Sequence, residues 1–413
     1  MLKTLKHYLP FWIFMILFKF GAGLHYTLMA PLGERIFPIW IIGFLAGGCS
    51  LIQLFFDVPA GHLLDRYGYL RMLKITTVTF LFAAVCFLFG LTQLTYFLTL
   101  FFSIFGWLFF SSGINAYVLS QAPKEHTGKF MSMRDVSGSI GIVLASASLP
   151  FILLLSVQWM GIVLSLLLFV AWILLWFSPK ETQSVHTEQT GETRHLSIKR
   201  HVFANSMRAM KKLNPASTML LLTGVASALF YAAIWFVIPL VIVAQQRAGL
   251  LGIGLGIFDF AVVVLGFFLG TLADKMNKRT LVFFGLLLFA VTGVLVGFHF
   301  DVLFLLFGFL ATTGEEMAML SLWSWLHMLD REHANDGAIA GVVSLFDDLG
   351  WALGPMFAGV LYGFIGPSWT IAIAAIPIFV AWIIYQFMMR NHPVHTVSLK
   401  DIPRKPHRPR HKT

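Results

Sequence analysis

Five carboxylates stand where carboxylates are seldom found. Asp259, Glu315, Glu316, Asp347 and Asp348 each lie inside an apolar run. In hydrocarbon an ionised side chain costs several kcal/mol unless it meets a cavity or a partner, so such residues mark ion pathways and proton relays. Shelter from water and a like-charged neighbour both favour the protonated form of a carboxyl group. Acids in this setting can gain and lose a proton, or hold a cationic group. Two of the sites are adjacent pairs, Glu315–Glu316 and Asp347–Asp348. Successive helical residues diverge by about 100°, so each pair is expected to show one member to a given cavity. The plainer reading is pairing between helices, with Lys19 or Arg134 as partner. Lys19 lies early in the first apolar run, where it could bind an anionic group or snorkel to the nearer membrane surface. His25, Tyr26, Asn115, Tyr117, Tyr231, Trp235 and Trp323 lie in other apolar runs or further along this one. Aromatic, amide and imidazole groups can line an amphipathic binding cavity. In a chain that is 15% aromatic, each is as readily packing or an interface belt.

The elements that position these groups follow from composition. The chain is 58% hydrophobic and 12% charged, with a mean hydropathy of +0.81. Water-soluble folds carry roughly a quarter charged residues, so lipid must solvate most of this surface. Crossing a core of about 30 Å takes roughly 20 apolar residues as helix. Such windows fall near 10–33, 38–60, 72–92, 94–120, 130–155 and 158–178, then near 215–244, 249–270, 280–299, 302–328, 337–363 and 367–389. The first window continues to about residue 33 without a small-residue cleavage site, so it reads as a span rather than a signal peptide. Cys49 and Cys86 both sit in apolar runs, which makes a disulfide framework improbable.

Twelve spans put both termini on one side. Of the 29 Lys and Arg residues, all but Lys19, Arg35 and Arg247 fall on that side. Positive charge is retained in the cytoplasm, so both termini are expected there. The net charge of +10 thus reports membrane orientation rather than nucleic acid. The expected units are residues 1–178, a polar loop 179–214, residues 215–390 and a basic tail 391–413. Leu196 to Leu213 could lie as an amphipathic helix on the inner leaflet, or serve as a tether. His392 and His395 could bind metal, but they read more simply as part of a solvated tail.

A repeat organises the two halves. Gly61-His62-Leu63-Leu64-Asp65-Arg66-Tyr67-Gly68 ends the second span, with Arg71 following; Gly270-Thr271-Leu272-Ala273-Asp274-Lys275 ends the eighth, with Lys278 and Arg279 following. The copies are 209 residues apart, 270 minus 61. Ser132-Met133-Arg134-Asp135 with Gly138 likewise parallels Ser344-Leu345-Phe346-Asp347 with Gly350. This duplication resembles the loop signature of the major facilitator superfamily. The resemblance implies an all-α membrane protein of twelve transmembrane helices in two pseudo-symmetric six-helix bundles. It implies a central path lined by the first, fourth, seventh and tenth helices, with the second helix of each half facing the fifth of the other.

On that reading Gly61, Asp65, Arg66, Arg71, Gly270, Asp274, Lys275, Lys278 and Arg279 form a cytoplasmic gate. Asp65 and Asp274 would lie near helix N-termini, whose partial positive charge attracts carboxylates; topogenic charge alone would also explain the basic members. Asp57 and Asp135 are expected to join this network, with Arg134 able to neutralise Asp135 locally. The chain departs from the family pattern at Tyr69 and Leu70, which delay Arg71, and at Asn277, which stands for a glycine. Gly350-x-x-x-Gly354-Pro355 falls in the eleventh helix, whereas proton-exchanging exporters of the superfamily carry a similar stretch in the fifth.

No phosphate-binding Gly-x-x-x-x-Gly-Lys-Ser/Thr loop, His-Glu-x-x-His or catalytic cysteine pairing occurs, so the expectation is a carrier and not an enzyme, with no cofactor and no metal. The expected partners are a small-molecule substrate, protons and the lipid bilayer, with the chain acting as a monomer in a cytoplasmic (inner) membrane. Two cargo readings stand: proton-coupled export of amphipathic or cationic compounds, and proton-coupled or facilitative uptake of a small metabolite. A non-transporting sensor is a third.

Overall fold

The computed structural model describes residues 7–121, 127–179, 215–245, 248–329 and 336–391. The expected amphipathic helix at 196–213 and the His392–His395 pair lie outside the described residues. All regular structure among the described residues is helical, which is what hydrocarbon demands of a non-barrel chain, since each segment must satisfy its own backbone N–H and C=O groups. The first half runs α1 (Leu9–Glu34), α2 (Ile39–Tyr67), α3 (Tyr69–Cys86), α4 (Gln93–Gln121), α5 (Thr127–Ile152) and α6 (Val157–Leu174). The second runs α7 (Pro215–Gln245), α8 (Ala248–Lys275), α9 (Lys278–Phe298), α10 (Val302–Leu329), α11 (Asp336–Ala374) and α12 (Ile376–Asn391).

Among the described residues nine helical segments are long and apolar enough to cross a membrane, and α2 and α8 hold shorter apolar stretches, Ile39–Leu54 and Gly252–Gly266. The last of the nine, Leu345–Met388, is broken where Gly366 adopts φ 75°. Gly68 makes the turn between α2 and α3 at φ 86°, and its N–H donates to the Leu64 carbonyl at 3.0 Å. A side chain would be strained at either angle. Asn277 behaves otherwise than the sequence suggested. It is extended at φ −64°, and its side chain caps α9 by accepting from the Arg279 N–H at 3.0 Å; asparagine serves here as an N-cap rather than as a glycine substitute.

The halves share one packing plan. In the first, α1 packs on α5 and α6, α3 on α4 and α6, and α2 on α4. Adding six to each number gives contacts of the second: α7 on α11 and α12, α9 on α10 and α12, and α8 on α10. The junction obeys the same rule, because α2 meets α11 while α5 meets α8. Large apolar side chains such as Phe364, Leu154 and Phe89 face outward, as a lipid-solvated surface requires.

The junction is tightest at the face opposite the signature loops. A Cβ on Gly43 would stand 2.4 Å from the Pro355 carbonyl oxygen and 3.0 Å from Gly359 Cα; on Gly47 it would stand 2.2 Å from the Ala352 carbonyl oxygen. Backbones so close leave no room for a methyl group. Likewise Gly252 of α8 abuts Pro150 of α5. At the loop end, by contrast, Gly270 has nothing within 4 Å of where its Cβ would be, and Tyr67 is 45% exposed.

The described signature residues accordingly engage their own half. Arg66 and Arg71 lie 5.4 and 5.8 Å from the Tyr67 ring. Lys278 Nζ donates to the Ala273 carbonyl at 2.9 Å, and the Arg279 carbonyl accepts from Tyr385 at 2.8 Å. The side chains of Asp57, Asp65, Asp274 and Lys275 lie outside those described. Gly61 keeps its place in α2.

Candidate functional site

A cavity of about 410 Å³ lies between the halves. Eight helices supply its walls, and α3, α6, α9 and α12 do not. Asp259 (α8), Glu315 (α10), Asp347 and Asp348 (α11) bring carboxylates, and Lys19 (α1) is the cation among its lining residues. Tyr26, Trp107, Tyr231, Trp235, Phe258 and Trp351 add aromatic surface; Ser50, Gln53, Ser111 and Thr312 add neutral hydrogen-bonding groups. Four acids against one base leave the walls net acidic.

Helix-to-helix hydrogen bonds hold Asp259 and Glu315 in place. The Ser139 hydroxyl of α5 donates to Asp259 at 3.2 Å, across the junction of the halves. The Ser227 hydroxyl of α7 donates to Glu315, and one turn along, Tyr231 and Thr312 share a bond of 3.1 Å. Lys19 Nζ lies 4.8 Å over the Trp107 ring and 5.2 Å over that of Phe110. Cation–π contact of this kind is stronger away from water. Asp259 is the acid whose charge bears on Lys19 most. Among the described residues no carboxylate lies within ion-pair distance of Lys19, so the expected pairing with it is an attraction across space rather than a salt bridge.

The duplication reaches into the cavity. Lys19 and Ser227 are 208 residues apart, and so are Trp107 and Glu315, by subtraction (227 − 19, 315 − 107). One inter-helix contact thus recurs in both halves with changed chemistry. In the first half a cation rests on a ring; in the second a hydroxyl donates to an acid.

The acidic pairs divide differently from one another. Glu315 lines the cavity and Glu316 does not, although the charge of Glu316 bears on Glu315. Asp347 and Asp348 both line it. The expectation of one member per pair therefore needs correction at α11: the cavity wraps more than 100° of that helix, wider than the step between neighbours.

Of the aromatic and polar residues singled out from sequence, Tyr26, Tyr231 and Trp235 line the cavity. His25 lines a smaller adjoining space. Asn115, Tyr117 and Trp323 are corrections. Tyr117 is wholly buried against Phe11, and its hydroxyl donates to the Pro179 carbonyl at 2.6 Å. Asn115 is an exposed acceptor for Arg134, which also donates through Nε to Asp135 at 2.9 Å. Asp135 is thus neutralised locally. Trp323 packs against the buried cluster of Met219, Leu286 and Leu322, because its position on α10 faces α7 and α9 rather than the axis. Trp323→Phe should therefore shift the melting temperature and leave the affinity for any cavity ligand within about twofold, as fluorescence titration would show.

Sequence reading missed Ser50, Gln53, Trp107, Ser111, Thr312 and Trp351 in the walls, and Ser139 and Ser227 behind them. Serine and threonine in apolar helices usually bond their own preceding carbonyl, as Thr77 does to Leu73 at 2.8 Å. Nothing in the pattern separates those from the ones aimed at an acid.

Comparison with known proteins places this geometry. No curated protein matches the sequence. Among solved structures, the human organic anion transporter MFSD10 (TETRAN) superposes with a TM-score of 0.66 at 11% identity, covering 92% of this chain and 99% of that one. A bacterial homologue of the human lysosomal transporter Spinster, inward-facing and unoccupied, superposes with a TM-score of 0.71 at 13% identity, covering 94% and 97%. Likeness at such identities speaks for fold alone. The sequence model described as Major Facilitator Superfamily matches residues 7–333 and again 220–411. Both matches together span the two halves and the cavity they enclose, and the chain belongs to the major facilitator superfamily.

Proposed function

We propose that this protein is a proton-coupled secondary transporter that exports amphipathic, cationic small molecules by alternating access. The observation that carries the reading is the content of the cavity: four carboxylates, one lysine and a set of aromatic faces within about 410 Å³. That volume suits a small organic molecule. A cation stacked on Trp107, Tyr231 or Trp235 would find both ring faces and acids. Asp259, Glu315, Asp347 and Asp348 can each hold either a proton or that cation, which links the two fluxes. Glu316 acts from behind the wall. The twelve crossings, the units 1–178, 179–214, 215–390 and 391–413, the signature gate, monomeric action and cytoplasmic termini in an inner membrane belong to the same proposal. Reporter fusions at the two ends should give the same sidedness.

The test is flux. Purified protein in liposomes with an acidic lumen and the membrane potential clamped to zero should concentrate tetraphenylphosphonium or ethidium inside beyond protein-free liposomes. Electroneutral collapse of the pH difference by nigericin with potassium should abolish the gradient. Equal accumulation with and without the pH difference would end the coupling.

Lys19 favours a second reading, uptake of a small anionic metabolite. Lys19→Gln separates the two. Removing a positive charge from an acidic cavity should tighten cation binding several-fold, whereas an anion carrier would lose its ligand.

A further inference from the structure

Beside the main cavity, on the side nearer the closed face, lies a chamber of about 60 Å³. Tyr26, Ser50, Gln53, Trp107 and Trp235 line both spaces, so the chamber adjoins the cavity across these side chains. His25 faces the chamber from α1, is 2% exposed, and its Nε2 has no hydrogen-bond partner among the described residues. The rings of Phe80 and Phe87 flank it, 5.9 and 6.1 Å away between centroids. Buried polar atoms are nearly always paired, and an orphan calls for a specific explanation.

We infer that this chamber is a second subsite, which takes a neutral hydroxyl or carboxamide at one end of a cargo whose cationic end stays among the carboxylates. This rests on the cationic-cargo reading and extends it. Three observations carry it. First, none of the residues lining the chamber is a carboxylate, lysine or arginine. A charge entering it would be unpaired and desolvated, as would a protonated His25. Second, the orphan Nε2 of a neutral imidazole donates or accepts according to tautomer, and a hydroxyl or carboxamide can meet either. Third, size excludes a ring, because benzene occupies a cavity of about 150 Å³. What fits is a small polar tip or a few waters. Ser103 and Gln53 offer further hydrogen bonds to it.

Matched probes test the subsite. Butyltriphenylphosphonium and 4-hydroxybutyltriphenylphosphonium differ by one hydroxyl, and their binding can be followed through quenching of tryptophan fluorescence. The hydroxylated probe should bind about tenfold tighter to the unmodified protein, the worth of a buried hydrogen bond. His25→Leu should erase that preference without weakening the plain probe. His25→Asn, which keeps a donor and an acceptor, should restore part of it and controls for loss of folding. Equal affinity for the two probes, or a preference that survives His25→Leu, overturns the subsite while leaving cation transport intact. Binding of neither probe overturns the cationic reading, and the subsite falls with it.

Discussion

Glu315→Gln is expected to remove pH-driven transport, lowering it by about tenfold or more, because it deletes the one acid on α10 that lines the cavity and, on the proposed coupling, carries the proton. The substitution is nearly isosteric. A glutamine oxygen can still accept from the Ser227 hydroxyl that holds Glu315 in place, so the fold should be kept and the loss should report protonation. Glu316→Gln should cost less, since that side chain does not line the cavity. The neighbours sharpen the contrast. Glu316 and Asp347 both act on Glu315 through charge, and Tyr231 with Thr312 fixes the adjacent turn at 3.1 Å. On the proposed coupling, a proton arriving at Glu315 would change the balance of a cluster that spans α10 and α11. The measurement is accumulation of tetraphenylphosphonium in acid-loaded liposomes for both variants. Retention of full driven flux by Glu315→Gln would remove this residue from the coupling.

What was legible in the sequence was whatever lipid makes expensive. Charge inside an apolar run stands out, so Lys19, Asp259, Glu315, Glu316, Asp347 and Asp348 were singled out, and all but Glu316 line the cavity. The duplicated loop was equally plain, and with it the fold. Neutral groups gave no such contrast. Trp107 sits in a run of phenylalanines and Trp323 beside Trp325, yet Trp107 forms the wall and Trp323 packs behind it. Helical direction separates them, and twelve tightly packed apolar helices leave little amphipathic signal from which to read it. Asn115 and Tyr117 failed for the same reason: each lies on α4 close to cavity residues in number, but turned to Arg134 and to Pro179. The tight junction at the far face was missed although its trace was present. Gly43-x-x-x-Gly47 is a spacing at which small residues let helices meet, but a single chain does not say which helix arrives. Gly350 and Gly354, which looked similar, serve packing within the second half, against Ala228 and Ala232.

On the alternating-access proposal, that junction is where the two halves would exchange faces. Contacts of α2 with α11 and of α5 with α8 are related by the same twofold rule, so a pivot between the halves would engage both. In the present state they close at the ends bearing Gly43, Gly47 and Gly252. Arg66, Arg71 and Lys278 meanwhile make contacts within their own halves. A rocking motion that brought the loop ends together would pull Gly43 from Pro355 and Gly47 from Ala352, since alternating access is largely rigid-body rocking of one half against the other. The proposed gate at the loops would be polar and charged, whereas the contact seen opposite is glycine against backbone.

Gly47→Leu should therefore hold the molecule in the other state. A Cβ at this position would stand 2.2 Å from a backbone oxygen and 2.5 Å from the Met356 side chain, and backbone cannot step aside as a side chain can. Overpacking typically costs about 1–3 kcal/mol, which corresponds to a shift of about 5- to 150-fold between two states. Cys49 gives the readout, because it lies two residues on and lines the chamber beside the closed face. With Cys86 replaced by alanine, Cys49 is the sole thiol. Labelling by a membrane-impermeant maleimide from the face opposite the signature loops should rise by at least about fivefold in Gly47→Leu, and driven transport should be lost with it. Gly48→Leu is the control, since nothing lies within 4 Å of its Cβ position; it should label like the parent. If Gly47→Leu left Cys49 as protected as before, the glycine seam would be packing and not a latch.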